Sequence, residues 1–247
     1  MNFYVGLDDL YYAFRFERCC INANRLRKTD KRSARVSDFA VNEWILDSGA
    51  FSELEKFGHY RFPVEEYAAL VNRWMTCGKM VAAVTQDYMC EPLIIEKTGY
   101  TVEEHQLRTI HRYQQLIAMT PAYIMPVIQG FQPSEYLTHI DRYGVLLQEG
   151  AWVGVGSVCK RNGHPAIIEF ILRGIKRKRP DLRLHGFGLK LTALYRPEIR
   201  ELLHSSDSMA WSKNARMNKL GAHDWRNAER YRSRISRPIG EPDFSLE

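Results

Sequence analysis

Residues 44–51 read Trp-Ile-Leu-Asp-Ser-Gly-Ala-Phe: an apolar run that stops at a carboxylate, a serine and a glycine. A short apolar run bounded by such residues reads as a strand buried on both faces, as in parallel sheets. The same pattern recurs along the chain. MVAAVT (80–85) stops at Gln86-Asp87, YIMPVI (123–128) at Gln129-Gly130 and WVGVG (152–156) at Ser157. LHGFGL (184–189) stops at Lys190, and the short segment SSDSMAW (205–211) carries Asp207. With weaker runs near the N-terminus, eight strands are expected, at 3–6, 19–24, 44–47, 80–86, 123–129, 152–158, 182–189 and 206–211.

Helical signals fill the gaps. Pro63 suits a first helical position ahead of Val64, Tyr67, Ala68, Val71, Trp74 and Met75, with Gly78 as a left-handed stop. Thr101 and Glu104 have capping-box spacing. Pro133 and Pro165 open two further helices, the second with Ile167, Ile168, Ile171, Leu172 and Ile175 on one side. Strand–helix alternation over 247 residues predicts a single-domain TIM (β/α)8 barrel, whose usual size is about 250 residues. An open doubly wound sheet is the alternative. The barrel is expected to take in residues 1–235, including a basic C-terminal helix, with 236–247 (SRPIGEPDFSLE) as a loose tail.

In a barrel the strand ends converge on one mouth, where active sites are built. One carboxylate at a strand end reads equally well as a helix cap. Asp47, Asp87 and Asp207 together with Gln129, at equivalent points of different units, read better as a site. Gly49, Gly130, Gly156 and Gly188 beside them allow a flat ligand to approach the backbone. Convergent carboxylates permit Mg²⁺ binding, glycoside hydrolysis, or recognition of a purine-like base with attack at C1′ of its sugar. The mixture of carboxylate, amide and backbone suits the last best, because a guanine-like edge offers N–H donors and a carbonyl together.

The formal charge is +6, from 35 basic and 29 acidic residues. The excess gathers at Arg25, Arg27, Lys28, Lys31, Arg32 and Arg35, at the four basic residues 176–179, and in a C-terminal stretch. That stretch holds Lys213, Arg216, Lys219, Arg226, Arg230, Arg232, Arg234 and Arg237. Solvated helix faces account for any one cluster; three together suggest a polyanionic partner. Lys160, Arg161, Lys190, Lys213 and Arg216 are the candidate phosphate contacts. The five scattered cysteines form no disulfide framework and suit a reducing cytosol. No run reaches the roughly 18 apolar residues of a membrane span, and the N-terminus does not read as a secretory signal. A cytoplasmic location without membrane contact is expected.

Asp47-Ser48-Gly49-Ala50-Phe51 resembles the D-S-G-G-F segment of tRNA-guanine transglycosylases, and Gln129-Gly130 resembles a glutamine-glycine strand end in the same enzymes. Residues 44–54, 86–92, 124–130, 150–163, 180–190 and 206–212 are more similar still to DpdA, the DNA-modifying branch. The resemblance runs over roughly residues 3–235. It implies a TIM barrel in which Asp207 is the nucleophile at C1′ and Asp47 the general acid/base. Ser48, Gly49, Phe51, Asp87, Gln129, Gly130 and the backbone of Gly154, Val155 and Gly156 are implied as the base-binding set. The implied partners are duplex DNA with its target base flipped out and a free 7-deazaguanine, such as 7-cyano-7-deazaguanine. Accessory proteins that open the duplex are compatible with this reading. Ala50 departs from the second glycine. The C-x-C-x-x-C zinc motif of the tRNA enzymes is absent, and Cys159, His185, His204 and His223 do not reproduce its spacing. No metal and no cofactor are therefore expected. Action on tRNA is the alternative, and a small-molecule barrel lyase or glycosidase the further one.

Other residues invite competing readings. Lys190 fits a phosphate contact or ion pair better than a Schiff-base lysine. Cys159 reads as a buried strand-end thiol rather than a reactive one, and Cys19-Cys20 as core. His204 beside Ser206 and Asp207 lacks a nucleophile-elbow sequence. Trp211, Trp225 and Tyr231 could stack on bases, but the helical spacing of the last two favours packing against the barrel.

Overall fold

The computed structural model describes residues 1–30, 36, 39–218, 221 and 223–236. Lys31, Arg32, Arg35, Lys219 and Arg237, and the tail beyond Ser236, lie outside the described residues. All strands are parallel and belong to one sheet: β1 (Asn2–Leu7), β2 (Arg18–Asn22), β3 (Glu43–Asp47), β4 (Lys79–Val84), β5 (Ile124–Met125), β6 (Val127–Ile128), β7 (Trp152–Val155), β8 (Arg183–Gly186) and β9 (Ser205–Ser208). Strand β9 returns to pair with β1, placing Tyr4 opposite Asp207. The sheet's two ends, β5 and β6, are halves of one extended segment split at Pro126. Proline has no N–H for the ladder, but its carbonyl accepts from the Gly154 amide at 2.9 Å. With β5 on β4 and β6 on β7, the sheet is a nearly closed α/β barrel. The eight expected strands are all present, and the open sheet is ruled out.

The helices are α1 (Ala23–Asp30), α2 (Ala50–Phe57), α3 (Val64–Trp74), α4 (Pro92–Thr98), α5 (Val102–Met119), α6 (Pro133–Tyr143), α7 (Pro165–Lys178), α8 (Leu191–Leu194), α9 (Pro197–Leu202), α10 (Ala210–Met217) and α11 (Trp225–Ser236). Thr101 and Glu104 close a reciprocal capping box on α5, a feature worth about 1 kcal/mol. Helix α7 buries Ile168, Ile171, Leu172 and Ile175, each contributing about 1.5–3 kcal/mol. Only a 3₁₀ turn, Leu10–Arg15, links β1 to β2.

Alternation along the strands divides the core. Cys19, Trp44 and Leu46 face the helices. Tyr4, Cys20, Ile45, Val84, Met125 and Trp152 fill the barrel. The adjacent cysteines therefore pack on opposite faces of one strand.

Several strands are shorter than the sequence reading has them, β4 ending at Val84, β7 at Val155 and β8 at Gly186, and three further boundaries differ for local reasons. Strand β2 stops at Asn22 because its Oδ1 accepts from the Asn24 amide at 2.9 Å and turns the chain into α1. Helix α3 stops at Trp74, and the left-handed Gly78 lies in the turn before β4. Strand β9 stops at Ser208, so Trp211 belongs to α10. Its indole is buried and donates to the Gly6 carbonyl at 2.8 Å, which removes it from base stacking. Tyr231 is buried in α11, and Trp225 is half-buried under the Arg15 guanidinium.

Candidate active site

Parallel register brings the polar strand ends together. Asp47 closes β3 opposite Asn22 of β2, and Asp207 sits on β9 beside Tyr4 of β1. Asp87 follows β4, Gln129 follows β6, Gly156 and Ser157 follow β7, and Phe187 and Gly188 follow β8. They enclose a cavity of about 170 Å³ lined by Cys20, Asp47, Ala50, Phe51, Val84, Asp87, Met89, Gln129, Gly156, Ser157, Cys159, Phe187, Gly188 and Asp207. Drug-sized ligands occupy pockets of roughly 300–1,000 Å³, so this one suits a single flat ring system.

Burial raises two of its carboxyl groups. Burial, reinforced by the charge of Asp207, pushes Asp47 up to about 6 against the opposing hydrogen bonds of Gly49, Asn22 and Ser48. Burial and then the charge of Asp47 push Asp87 up to about 7, against the hydrogen bond from Gln129. Raised to about 6, Asp47 keeps its proton into mildly acidic conditions, and it lies close enough to Asp207 to feel that group's charge. Burial also pushes the Cys159 thiol up to about 11 and Cys20 well above its ordinary value, so neither is a thiolate nucleophile.

Gln129 is held on every side. Its Nε2 donates in a very short contact to Asp87 Oδ2, and its Oε1 accepts from Ser157 Oγ at 3.0 Å. A Cβ on Gly156 would lie 2.2 Å from Gln129 Nε2, so only glycine fits beneath this amide. Ser157 adopts φ +61°, the one non-glycine with positive φ among the described residues. Such a conformation costs about 1–3 kcal/mol and is concentrated at functional sites. Behind Gln129, its amide donates to His139 Nδ1 at 2.7 Å, and its carbonyl accepts from Gln106 Nε2 at 2.8 Å. Burial pushes His139 down to about 3, so this imidazole is neutral and can accept.

Other residues expected at the site fall elsewhere. Ser48 is buried outside the cavity lining, and Gly49 is the left-handed residue that starts α2. Gly130 packs against Tyr136. The ring of Phe187 covers Gly154, and the side chain of Val155 faces the helices. Phe51 lines the mouth, with Lys160 Nζ 3.9 Å from its ring centroid. Arg161 lies over Phe131 at 4.2 Å and donates to its carbonyl at 2.5 Å. Lys190 and Lys213 are exposed shortly after the ends of β8 and β9 that face the cavity, and Arg216 is exposed in the last turn of α10.

The basic run 176–179 ends α7 at the opposite face. Lys176 Nζ donates to the Pro180 carbonyl at 2.8 Å, Lys178 pairs with Asp141 at 2.6 Å, and Arg179 pairs with Asp181 at 2.7 Å. These contacts anchor the helix end. Arg27 packs on Phe62 at 4.0 Å. His204 precedes β9, at the other end of that strand from Asp207, with its ring against Trp152, so no hydrolase triad forms.

Sequence reasoning missed His185, Phe187, Asn22 and Met89 as parts of the site or its support. Met89, His185 and Phe187 lie in stretches that the sequence reading marked but drew no attention as side chains of the site, and Asn22 is brought to Asp47 by strand register. Among the described residues, no group of three or more His, Cys, Asp or Glu is arranged to hold a metal ion, and no helix is long and apolar enough to cross a membrane.

The chain has no match among curated proteins. Residues 20–227 match the family model for DpdA, DeoxyPurine in DNA protein A. That span contains Asp47, Asp87, Gln129 and Asp207. The chain belongs to the DpdA family.

Proposed function

We propose that this protein exchanges guanine in DNA for a 7-deazaguanine, 7-cyano-7-deazaguanine or a derivative, through a covalent bond between Asp207 and C1′. The observation that carries the reading is the convergence of Asp47, Asp87 and Asp207 with Gln129 on a cavity sized for one base. The family's description, a deoxypurine in DNA, supports DNA as the substrate.

The chemistry follows from the residue types. A guanine edge presents N1–H and N2–H donors to Asp87. The second N–H of Gln129 Nε2, left over from its bond to Asp87, suits the O6 acceptor. Guanine and a 7-deazaguanine share this edge and differ at position 7, so one site holds each in turn. Asp207 attacks C1′ as the C1′–N9 bond breaks. The electron pair leaves with guanine, which takes the proton from Asp47. The incoming base gives its N9 proton to the Asp47 carboxylate, and N9 displaces Asp207 from C1′. Two displacements retain configuration, Asp47 ends protonated again, and the exchange balances without a cofactor.

C1′ is not accessible within the stack, so the target nucleotide is flipped out, at a cost of a few kcal/mol. Lys160, Lys190, Lys213 and Arg216 hold the flanking phosphates.

The test is mass spectrometry of nucleosides from duplex DNA incubated with the protein and labelled 7-cyano-7-deazaguanine, with tRNA in parallel. Label is expected in DNA and absent with Asp207→Asn. Label confined to tRNA overturns the substrate, and exchange by Asp207→Asn overturns the nucleophile.

A further inference from the structure

His185 lies on β8 inside the barrel, fully buried. Its Nδ1 is 2.9 Å from Ser205 Oγ and its Nε2 is 3.2 Å from Asp207 Oδ1. Ser205 and Asp207 are two residues apart on β9 and so share a face. Register places His185 directly opposite Ser205. On the far side, Trp152 Nε1 lies 2.8 Å from the same Ser205 Oγ.

The direction of this chain can be read from its first member. An indole N–H only donates, so Ser205 Oγ accepts from Trp152. The hydroxyl hydrogen of Ser205 then needs an acceptor. Its only other side-chain partner among the described residues is His185 Nδ1. Nδ1 therefore accepts, the imidazole is neutral, and its proton sits on Nε2, aimed at Asp207 Oδ1. The opposite arrangement puts two donors on Ser205 and leaves a buried hydroxyl hydrogen unpaired, which costs about 1–3 kcal/mol.

Asp207 Oδ1 also accepts from the Gly188 amide at 3.1 Å. Gly188 holds φ +60°, and a Cβ there would meet Cys159 at 3.0 Å. Both protein donors thus engage one oxygen. Among the described residues no hydrogen bond is made to Oδ2, and Asp207 lines the cavity.

We infer that His185 is a positioning residue: the Trp152–Ser205–His185 chain holds the imidazole as the neutral Nε2–H tautomer. With the Gly188 amide, it fixes Asp207 by Oδ1 so that Oδ2 attacks. A neutral donor orients the carboxylate without giving it a proton or cancelling its charge, as an imidazolium would. The inference rests on Asp207 being the nucleophile proposed above.

Two measurements test it separately from that reading. The first uses no turnover: the long-range ¹⁵N–¹H spectrum of histidine-labelled protein reports the tautomer of each ring. A neutral Nε2–H ring is expected for His185, with a mixture of tautomers in Ser205→Ala. An imidazolium or Nδ1–H ring overturns the inference whatever the enzyme's activity. The second is the single-turnover rate of the covalent DNA adduct. His185→Phe is expected to slow adduct formation by about 100-fold, the scale of a misplaced reacting group, with DNA affinity within about threefold, a small part of a phosphate-dominated term. His185→Gln, whose Nε2 can replace the lost donor, is expected to recover most of the rate. An unchanged rate in His185→Phe, or no recovery in a folded His185→Gln, overturns the inference. An adduct formed by Asp207→Asn overturns the nucleophile instead.

Discussion

Asn22 Nδ2 donates to Asp47 Oδ2 at 2.6 Å, from the matching position on the neighbouring strand. Asn22 Oδ1 accepts from the Asn24 amide at 2.9 Å, so the side-chain amide has one orientation and its donor faces the carboxyl. This bond favours ionised Asp47, opposing the burial and the Asp207 charge that raise it to about 6.

Base exchange starting from protonated Asp47 is therefore expected to decline as pH rises through about 6. Asn22→Ala removes a donor to the ionised form, so Asp47 should titrate higher, by about one unit. The alkaline limb of kcat/KM against pH should move up with it. A limb that stays in place assigns the ionisation to another group.

Asp87 should make stability pH-dependent. Its value in the fold, about 7, stands above the ordinary 3.8, so the native state binds this proton more tightly than the unfolded chain. The contribution is fully present below pH about 4 and is lost as pH rises through about 7, a change of a few kcal/mol. Asp87→Asn keeps an oxygen for Gln129 and has no charge to bury. Its melting temperature should gain on the wild type between pH 5 and pH 8, buffers set on either side of the titration. A constant difference in thermal denaturation at the two pH values contradicts this account.

Gly156→Ala should displace the Gln129 amide, because the new Cβ falls 2.2–2.4 Å from its atoms. Overpacking of this kind costs about 1–3 kcal/mol. With the link to Asp87 broken, KM for the free base should rise at least about tenfold, the scale of a lost hydrogen bond to a charged group. Gly163→Ala, where a Cβ meets nothing within 4 Å, is the control. Steady-state kinetics on both variants decides the matter.

DNA binding should separate the two ends of the barrel. Lys190→Ala and Lys213→Ala each remove a cation beside the mouth, and each should lower the salt slope of binding by about 0.9. Lys178→Ala, on the far face and paired with Asp141, should leave the slope unchanged. Fluorescence anisotropy with a duplex between about 50 and 200 mM salt covers the useful range.

The strand ends were legible because buried parallel strands are apolar along their length, so a carboxylate or amide at the end of one stands out. Asp47, Asp87 and Gln129 were found in this way, Asp207 came from a short polar segment grouped with them, and all four line the cavity. The glycines were less informative. Gly156 lies under Gln129, whereas Gly130 makes room for Tyr136 and Gly154 for Phe187. All are close approaches, and local sequence does not say what approaches. The basic residues divided by place: positive charge is visible in sequence, but whether it is already paired depends on neighbours such as Asp141 and Asp181.

The sequence by itself determined the alternation of strands and helices and the residue types at each strand end, while closure into a barrel waited on the pairing of β9 with β1. These depend on hydrophobic periodicity and local capping, which act over a few residues. Only the tertiary structure decided what those residues do to one another. Asn22 lies 25 positions from Asp47, and His185 lies 22 from Asp207. Parallel register makes them neighbours, and burial then raises the proton affinity of Asp47 and Asp87. The ladder of polar strand ends is a property of the chain, whereas its gathering around one cavity is a property of the closed barrel.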